Sequence, residues 1–140
     1  MRVTFINEPR LHPVGTQGDW ALDDDFYVRI EDDGGEDTPI SITVPAGFAT
    51  DLASVPRLPV VHWLFAGRAR RSAIVHDWLY EQRYPRQWAD AVFRAAMQTE
   101  QVGFFHRWAM WAGVRIGGGR IYAYAGAPAP DPFNDYDSPA

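Results

Sequence analysis

The chain has 140 residues, 46% of them apolar and 14% aromatic, with no cysteine and a net charge of −5. One domain with a sizeable core is the natural expectation at this length, and the missing cysteines exclude disulfides and thiolate metal sites. The negative balance argues against nucleic acid, whose binding rests on basic contacts to phosphate. No stretch approaches the roughly 18 apolar residues of a membrane span, and MRVTFINEPR does not resemble a secretory signal. The expectation is therefore synthesis and folding in the cytoplasm, with later release inside a particle or by lysis.

In chain order, residues up to about Pro45 read as strands. Arg2–Ile6 is short and β-prone. Phe26–Ile30 alternates, with Phe26, Val28 and Ile30 on one face, and Ile40–Val44 alternates again. Gly34-Gly35, set among acids, marks a hairpin loop between them. Together these predict a small antiparallel sheet. Ala46–Leu64 reads as irregular, because Pro45, Pro56 and Pro59 bar a continuous helix. Three helices follow: Arg68–Glu81, Arg86–Val102 and Phe104–Ile116. Pro85 marks the turn of an antiparallel helical hairpin, and Gly117-Gly118-Gly119 is read as the stop of the third helix, with a short strand in 120–125. The fold class is thus α+β, a small N-terminal antiparallel β-sheet followed by a three-helix region, as a single domain over residues 1–125. Residues 126–140, rich in Pro, Ala and Asp, read as a disordered tail.

Charge is uneven. Residues 19–37 are acidic and residues 57–71 are basic (Arg57, Arg68, Arg70, Arg71); both runs read first as solvated surface, the basic one otherwise as a contact for an anionic partner or lipid surface. The aromatics Trp63, Phe65, Trp78, Trp88, Phe93, Phe104, Phe105, Trp108 and Trp111 fall mostly at helical spacing and read as core, or in part as a substrate channel or oligomer patch.

The chemistry centres on His76-Asp77-x-x-Tyr80. The Arg68–Glu81 helix carries an apolar arc of Ile74, Val75, Trp78 and Leu79, and a second stripe of Ala69, Ala73, His76 and Tyr80. Alanines flanking a histidine and a tyrosine leave room for another element to approach. With the hairpin turn near Tyr84, His76 lies eight residues before it and Asp90 six after, which places them within about 3 Å of one level at about 1.5 Å per residue. A carboxylate bonded to one ring nitrogen fixes the tautomer and raises the basicity of the other. His76 and Asp90 would then form a general-base dyad, and Asp77, turned about 100° away, would be available to a cation. The same residues can equally be a polar tie between two helices. A His…His-Asp…Asp metal phosphohydrolase set (His62, His76, Asp77, Asp90) needs an all-helical scaffold, which the β-prone first 45 residues do not suit.

Phe48-x-Thr50-Asp51-x-Ala53-Ser54-x-Pro56, then His76-Asp77-x-Leu79-Tyr80, then Ala89-Asp90 and Phe93, resembles domain-of-unknown-function family 1353 of phage and prophage genomes, over roughly residues 45–118. That resemblance implies a phage origin and no settled activity. Locally, the His-Asp-x-x-Tyr helix followed by Ala89-Asp90-Ala91-Val92-Phe93 is similar to the core of phospholipase A2. This second resemblance implies that His76 activates water, Asp90 orients it, Tyr80 supports the pair and Asp77 binds calcium. The chain lacks that family's Gly-rich calcium loop, and Asp51 is the substitute side-chain ligand, or else an Asx-turn or cap. Two functions follow as expectations: a calcium-assisted ester or lipid hydrolase, acting on an anionic lipid or ester substrate, or a non-enzymatic phage tail, particle or assembly component, virion-associated and bound to other phage structural proteins. A host-directed effector is a third.

Overall fold

The computed structural model describes residues 1–16, 19–32, 38–50 and 69–123, with side chains described to residue 116. Six strands precede three helices: β1 (Arg2–Phe5), β2 (Leu11–Val14), β3 (Asp19–Leu22), β4 (Phe26–Glu31), β5 (Ile40–Val44), β6 (Ala49–Thr50), α1 (Arg70–Glu81), α2 (Arg86–Thr99) and α3 (Phe104–Ala123). The fold is α+β.

The alternating segments form the first sheet, in the order β1-β4-β5, antiparallel throughout, with Val3 opposite Ile30 and Val28 opposite Ile42. Phe26, Val28, Ile30, Ile42 and Val44 all point into the core, as a period of two requires. A second sheet, β2-β3-β6, was not expected. Its strands are four, four and two residues long, and Pro13 sits in β2. Part of the segment read as irregular therefore pairs, through Trp20 with Thr50 and Ala21 with Ala49. The β-turn Pro45–Phe48 delivers β6: Phe48 N–H donates to Pro45 O at 3.1 Å, and Gly47 takes φ 84°, the left-handed third position that glycine fills without strain.

The inner face of the first sheet packs on Ile74, Val75 and Leu79 of α1 and on Ala89, Val92 and Ala96 of α2. A second cluster joins Phe93 and Met97 of α2 to Met110 and Val114 of α3. α2 thus lies centrally, with α1 and the sheet on one side and α3 on the other.

α1 lacks a side-chain N-cap of its own. Glu100, just past α2, supplies the cap in trans: its carboxylate accepts from the backbone N–H groups of Arg71 (3.1 Å) and Ser72 (3.0 Å), from Arg71 Nε at 3.1 Å and from the Ser72 hydroxyl. Four donors on one nearly buried carboxylate make this the main tie between the start of α1 and the end of α2. Glu100→Ala is expected to cost about 2–3 kcal/mol, read from the denaturant midpoint.

Both inner helices end in Schellman motifs. After α1, Tyr84 N–H donates to Leu79 O and Arg83 N–H to Tyr80 O; after α2, Val102 N–H donates to Met97 O and Gln101 N–H to Gln98 O. The left-handed positions are Arg83 (φ 69°) and Gln101 (φ 59°), where glycine is the usual residue. Gln101→Gly is expected to raise stability by about 0.5–1 kcal/mol, seen as a higher midpoint with an unchanged slope.

α3 overturns two expectations. It runs through Gly117-Gly118-Gly119 to Ala123, so the glycines do not stop it and residues 120–123 are helical rather than a strand. Glycine costs about 1 kcal/mol per position against alanine but keeps its N–H, so the ladder continues unless the chain turns left-handed. Arg86 reaches across from α2 to the carbonyls of Val114 (3.2 Å) and Arg115, one turn before these glycines, and so anchors that part of the helix. The aromatics divide as well. Phe93 is buried, Trp78 and Trp88 are half-buried, and Phe104, Phe105 and Trp108 are exposed, so the last three are not core. Asp51, His62, Trp63, Phe65, the basic run 57–68 and the tail 126–140 lie outside the described residues.

Candidate functional site

α1 and α2 are joined by a short turn and pack antiparallel. Ala73 on α1 and Ala89 on α2 are small and buried, which lets the two helices approach closely. The stripe of His76 and Tyr80 therefore meets α2 at Asp90. His76 Nε2 lies 2.9 Å from Asp90 Oδ1, and the Tyr80 hydroxyl donates to the same oxygen at 2.5 Å. The imidazole is held from its faces too, with ring centroids 4.1 Å from Tyr80 and 4.8 Å from Phe93. His76 is 6% exposed and Asp90 1%.

A carboxylate this deeply buried must be neutralised or fully hydrogen-bonded. Two arginines that the sequence reading did not single out complete the set. Arg115 of α3 donates to Asp90 Oδ2 at 3.1 Å, and Arg86 Nε stands 3.9 Å from the same atom. Arg86 Nε also donates to the Tyr80 hydroxyl at 3.3 Å, so that hydroxyl accepts from Arg86 and gives to Asp90. Arg86 and Asp90 are four apart on one helix, a pairing legible in sequence. Arg115 is 25 residues from Asp90 and on another helix, so no local pattern marks it.

Burial pushes the Asp90 carboxyl up, but the hydrogen bonds from His76, Tyr80 and Arg115 outweigh that and hold it below its ordinary value of 3.8. Asp90 is therefore an ionised acceptor, and Nε2 of His76 must carry the proton between them. In the neutral ring, Nδ1 then keeps its lone pair. Among the described residues no hydrogen bond engages Nδ1. Burial raises the Tyr80 phenol well above 10.0, the bond to Asp90 adds to the rise, and Arg86 offsets part of it; the phenol stays a donor.

These shifts have a stability consequence. The folded Asp90 carboxyl sits below its unfolded value, so its contribution is complete above about pH 4 and is lost as the pH falls through the folded value. Wild type is expected to lose stability in that acid window by more than Asp90→Ala does. Equilibrium denaturation at a series of pH values reads the difference, which should vanish if Asp90 is not ionised in the fold.

Among the described residues, Asp77 makes its contact outside this network. It is partly buried on the neighbouring face of α1 and accepts from the Thr50 hydroxyl at 2.5 Å, which ties α1 to β6. Thr50 is the other site residue that sequence reasoning placed in a motif without giving it a role. Among the described residues no three His, Asp or Glu side chains converge on a point where a metal could sit. His12, which showed no partner in sequence, pairs with Asp23 on the surface at 2.5 Å, far along the chain from the dyad.

A family model described as "Protein of unknown function (DUF1353)" matches residues 20–114, and the chain belongs to that family. The match spans β3 through most of the described part of α3 and includes His76, Asp77, Tyr80 and Asp90. Comparison with curated proteins and with solved structures gives no significant match.

Proposed function

We propose that this DUF1353 chain is an ester or lipid hydrolase in which His76, oriented by Asp90, acts as general base on water. The observation that carries the reading is the 2.9 Å contact of Nε2 with Asp90 Oδ1, which fixes the tautomer and leaves Nδ1 as the basic nitrogen. In the proposed step Nδ1 takes a proton from water while the water oxygen attacks the ester carbonyl. The tetrahedral adduct then collapses, and the imidazolium returns the proton to the departing alkoxide. Tyr80 and Arg115 hold the carboxylate in place for both transfers, as outer partners of a catalytic imidazole should. The same arrangement supports the likeness to the phospholipase A2 core, and the shared motif set supports a phage or prophage origin.

Calcium belongs to the proposal through Asp77. The ion takes six to eight oxygens, whereas Asp77 and Thr50 bring one carboxylate and one hydroxyl. The described donors fall short of such a shell, so no step is routed through the ion. The test is release of fatty acid from anionic and zwitterionic phospholipid vesicles, and of alcohol from a short-chain ester, with calcium or with chelator. The reading expects turnover by the wild type; a rate that calcium raises and Asp77→Asn lowers would bring the ion into the site, and a rate that chelator leaves unchanged would remove it. Absence of turnover on every ester class under both conditions would end it.

A second reading has its own support. Asp90 is gripped from α1 by His76 and Tyr80 and from α3 by Arg115, which is what a polar tie in a non-enzymatic particle or assembly component would look like. Under that reading His76→Ala unfolds the chain, and the protein is found in purified particles.

A further inference from the structure

Residues 104–116 of α3 are mostly apolar, yet among the described residues only one side of that stretch is covered. Met110 and Val114 are buried against α2. At about 100° per residue the opposite arc carries Trp108, Ala112, Phe105, Ile116 and Ala109, with Phe104 at its edge. Phe105 is 83% exposed, Ile116 86%, Phe104 58% and Trp108 40%. Between residues 104 and 116 no charge interrupts that arc: Arg115 turns away to Asp90. Arg94 lies over the Trp108 ring at 5.1 Å and forms a polar rim beside it. An uncharged face of this kind on a surface helix is out of place in water.

The order of residues along the face says what covers it. Phe105 and Ile116 stand at its ends, and Ala109 and Ala112 lie evenly between them. A second copy of the helix, antiparallel and crossing midway between residues 110 and 111, sets Phe105 against Ile116 and Ala109 against Ala112, and the two-fold axis makes each contact twice. The alanines let the axes close to about 8 Å, while the large side chains seal both ends. Four residues at these exposures offer on the order of 500 Å² per copy, so the pair reaches the roughly 1,000 Å² at which a specific interface begins. We propose that the Phe105–Ile116 face of α3 is a homodimer interface in which two copies pack antiparallel. This does not depend on the hydrolase reading.

The chain has no cysteine, which makes the register testable by single-cysteine variants of the full chain. In the proposed pairing the two copies of residue 109 lie about 4.5 Å apart along the axis and those of residue 105 about 16 Å apart. Oxidised Ala109→Cys is expected to yield a covalent dimer. Phe105→Cys alone should not, and a mixture of Phe105→Cys with Ile116→Cys should. Sedimentation should show the wild type as a dimer, and Phe105→Glu/Ile116→Glu as a monomer with unchanged circular dichroism, since both positions are exposed. A wild type that stays monomeric at its solubility limit overturns the proposal, as does self-crosslinking of Phe105→Cys. Flotation of a monomeric wild type with anionic vesicles would assign the face to lipid instead.

Discussion

Asp90→Ala is expected to be the most destabilising single substitution in the described part of the chain, at about 3–5 kcal/mol. The carboxylate is 1% exposed and receives His76, Tyr80 and Arg115. Its removal takes the acceptor from the buried imidazole N–H and from the Tyr80 hydroxyl and the counter-charge from Arg115, and a buried donor that loses its acceptor costs more than an average hydrogen bond contributes. For a chain of this size the melting temperature should fall by on the order of 10–15 °C. Arg115→Met should cost less, because Asp90 keeps the bonds from His76 and Tyr80. Thermal unfolding by circular dichroism at neutral pH checks both. A loss under about 1 kcal/mol for Asp90→Ala would mean that the Asp90 network adds little to what holds the three helices together.

His76→Gln separates chemistry from scaffold. Glutamine is of similar reach and can still donate to Asp90, so most of the fold energy should survive. It cannot act as a base. If the imidazole is the general base, kcat/KM on the ester substrate falls by about 10²–10⁴-fold while the melting temperature moves by a few degrees. Tyr80→Phe should cost less in rate, because it removes one of the donors to Asp90 and leaves Nδ1 in place. The opposite pattern, lost stability with unchanged turnover, would assign the motif to the scaffold.

What could be read from the sequence followed the strength of its periodicity. β4 and β5 were legible because Phe26, Val28 and Ile30, and then Ile42 and Val44, alternate over a buried face. The pairing of His76 with Asp90 was legible because one short turn fixes the level of two antiparallel helices. β2, β3 and β6 were not, since strands of two to four residues carry too little pattern, and Pro13 counts against a strand unless it lies at an edge. β2 is an edge strand of its sheet. Arg115 was hidden for a different reason. Its partner is chosen by where α3 folds back over α2, a tertiary fact with no local trace. The Gly117–Gly119 run misled because glycine only permits a left-handed stop and does not impose one. Thr50 stood in a recognised motif, but its bond to Asp77 spans 27 residues.

His76 can serve as the base only if its ring proton sits on Nε2. Long-range proton–nitrogen correlation spectra of the imidazole, assigned by comparison with His76→Gln, report it directly. The expected result is a proton on Nε2, shared with Asp90, and an unprotonated Nδ1 in the neutral ring, with the pattern lost in Asp90→Ala. A proton found on Nδ1 would mean that the ring does not donate to Asp90, and the base proposed here would not exist.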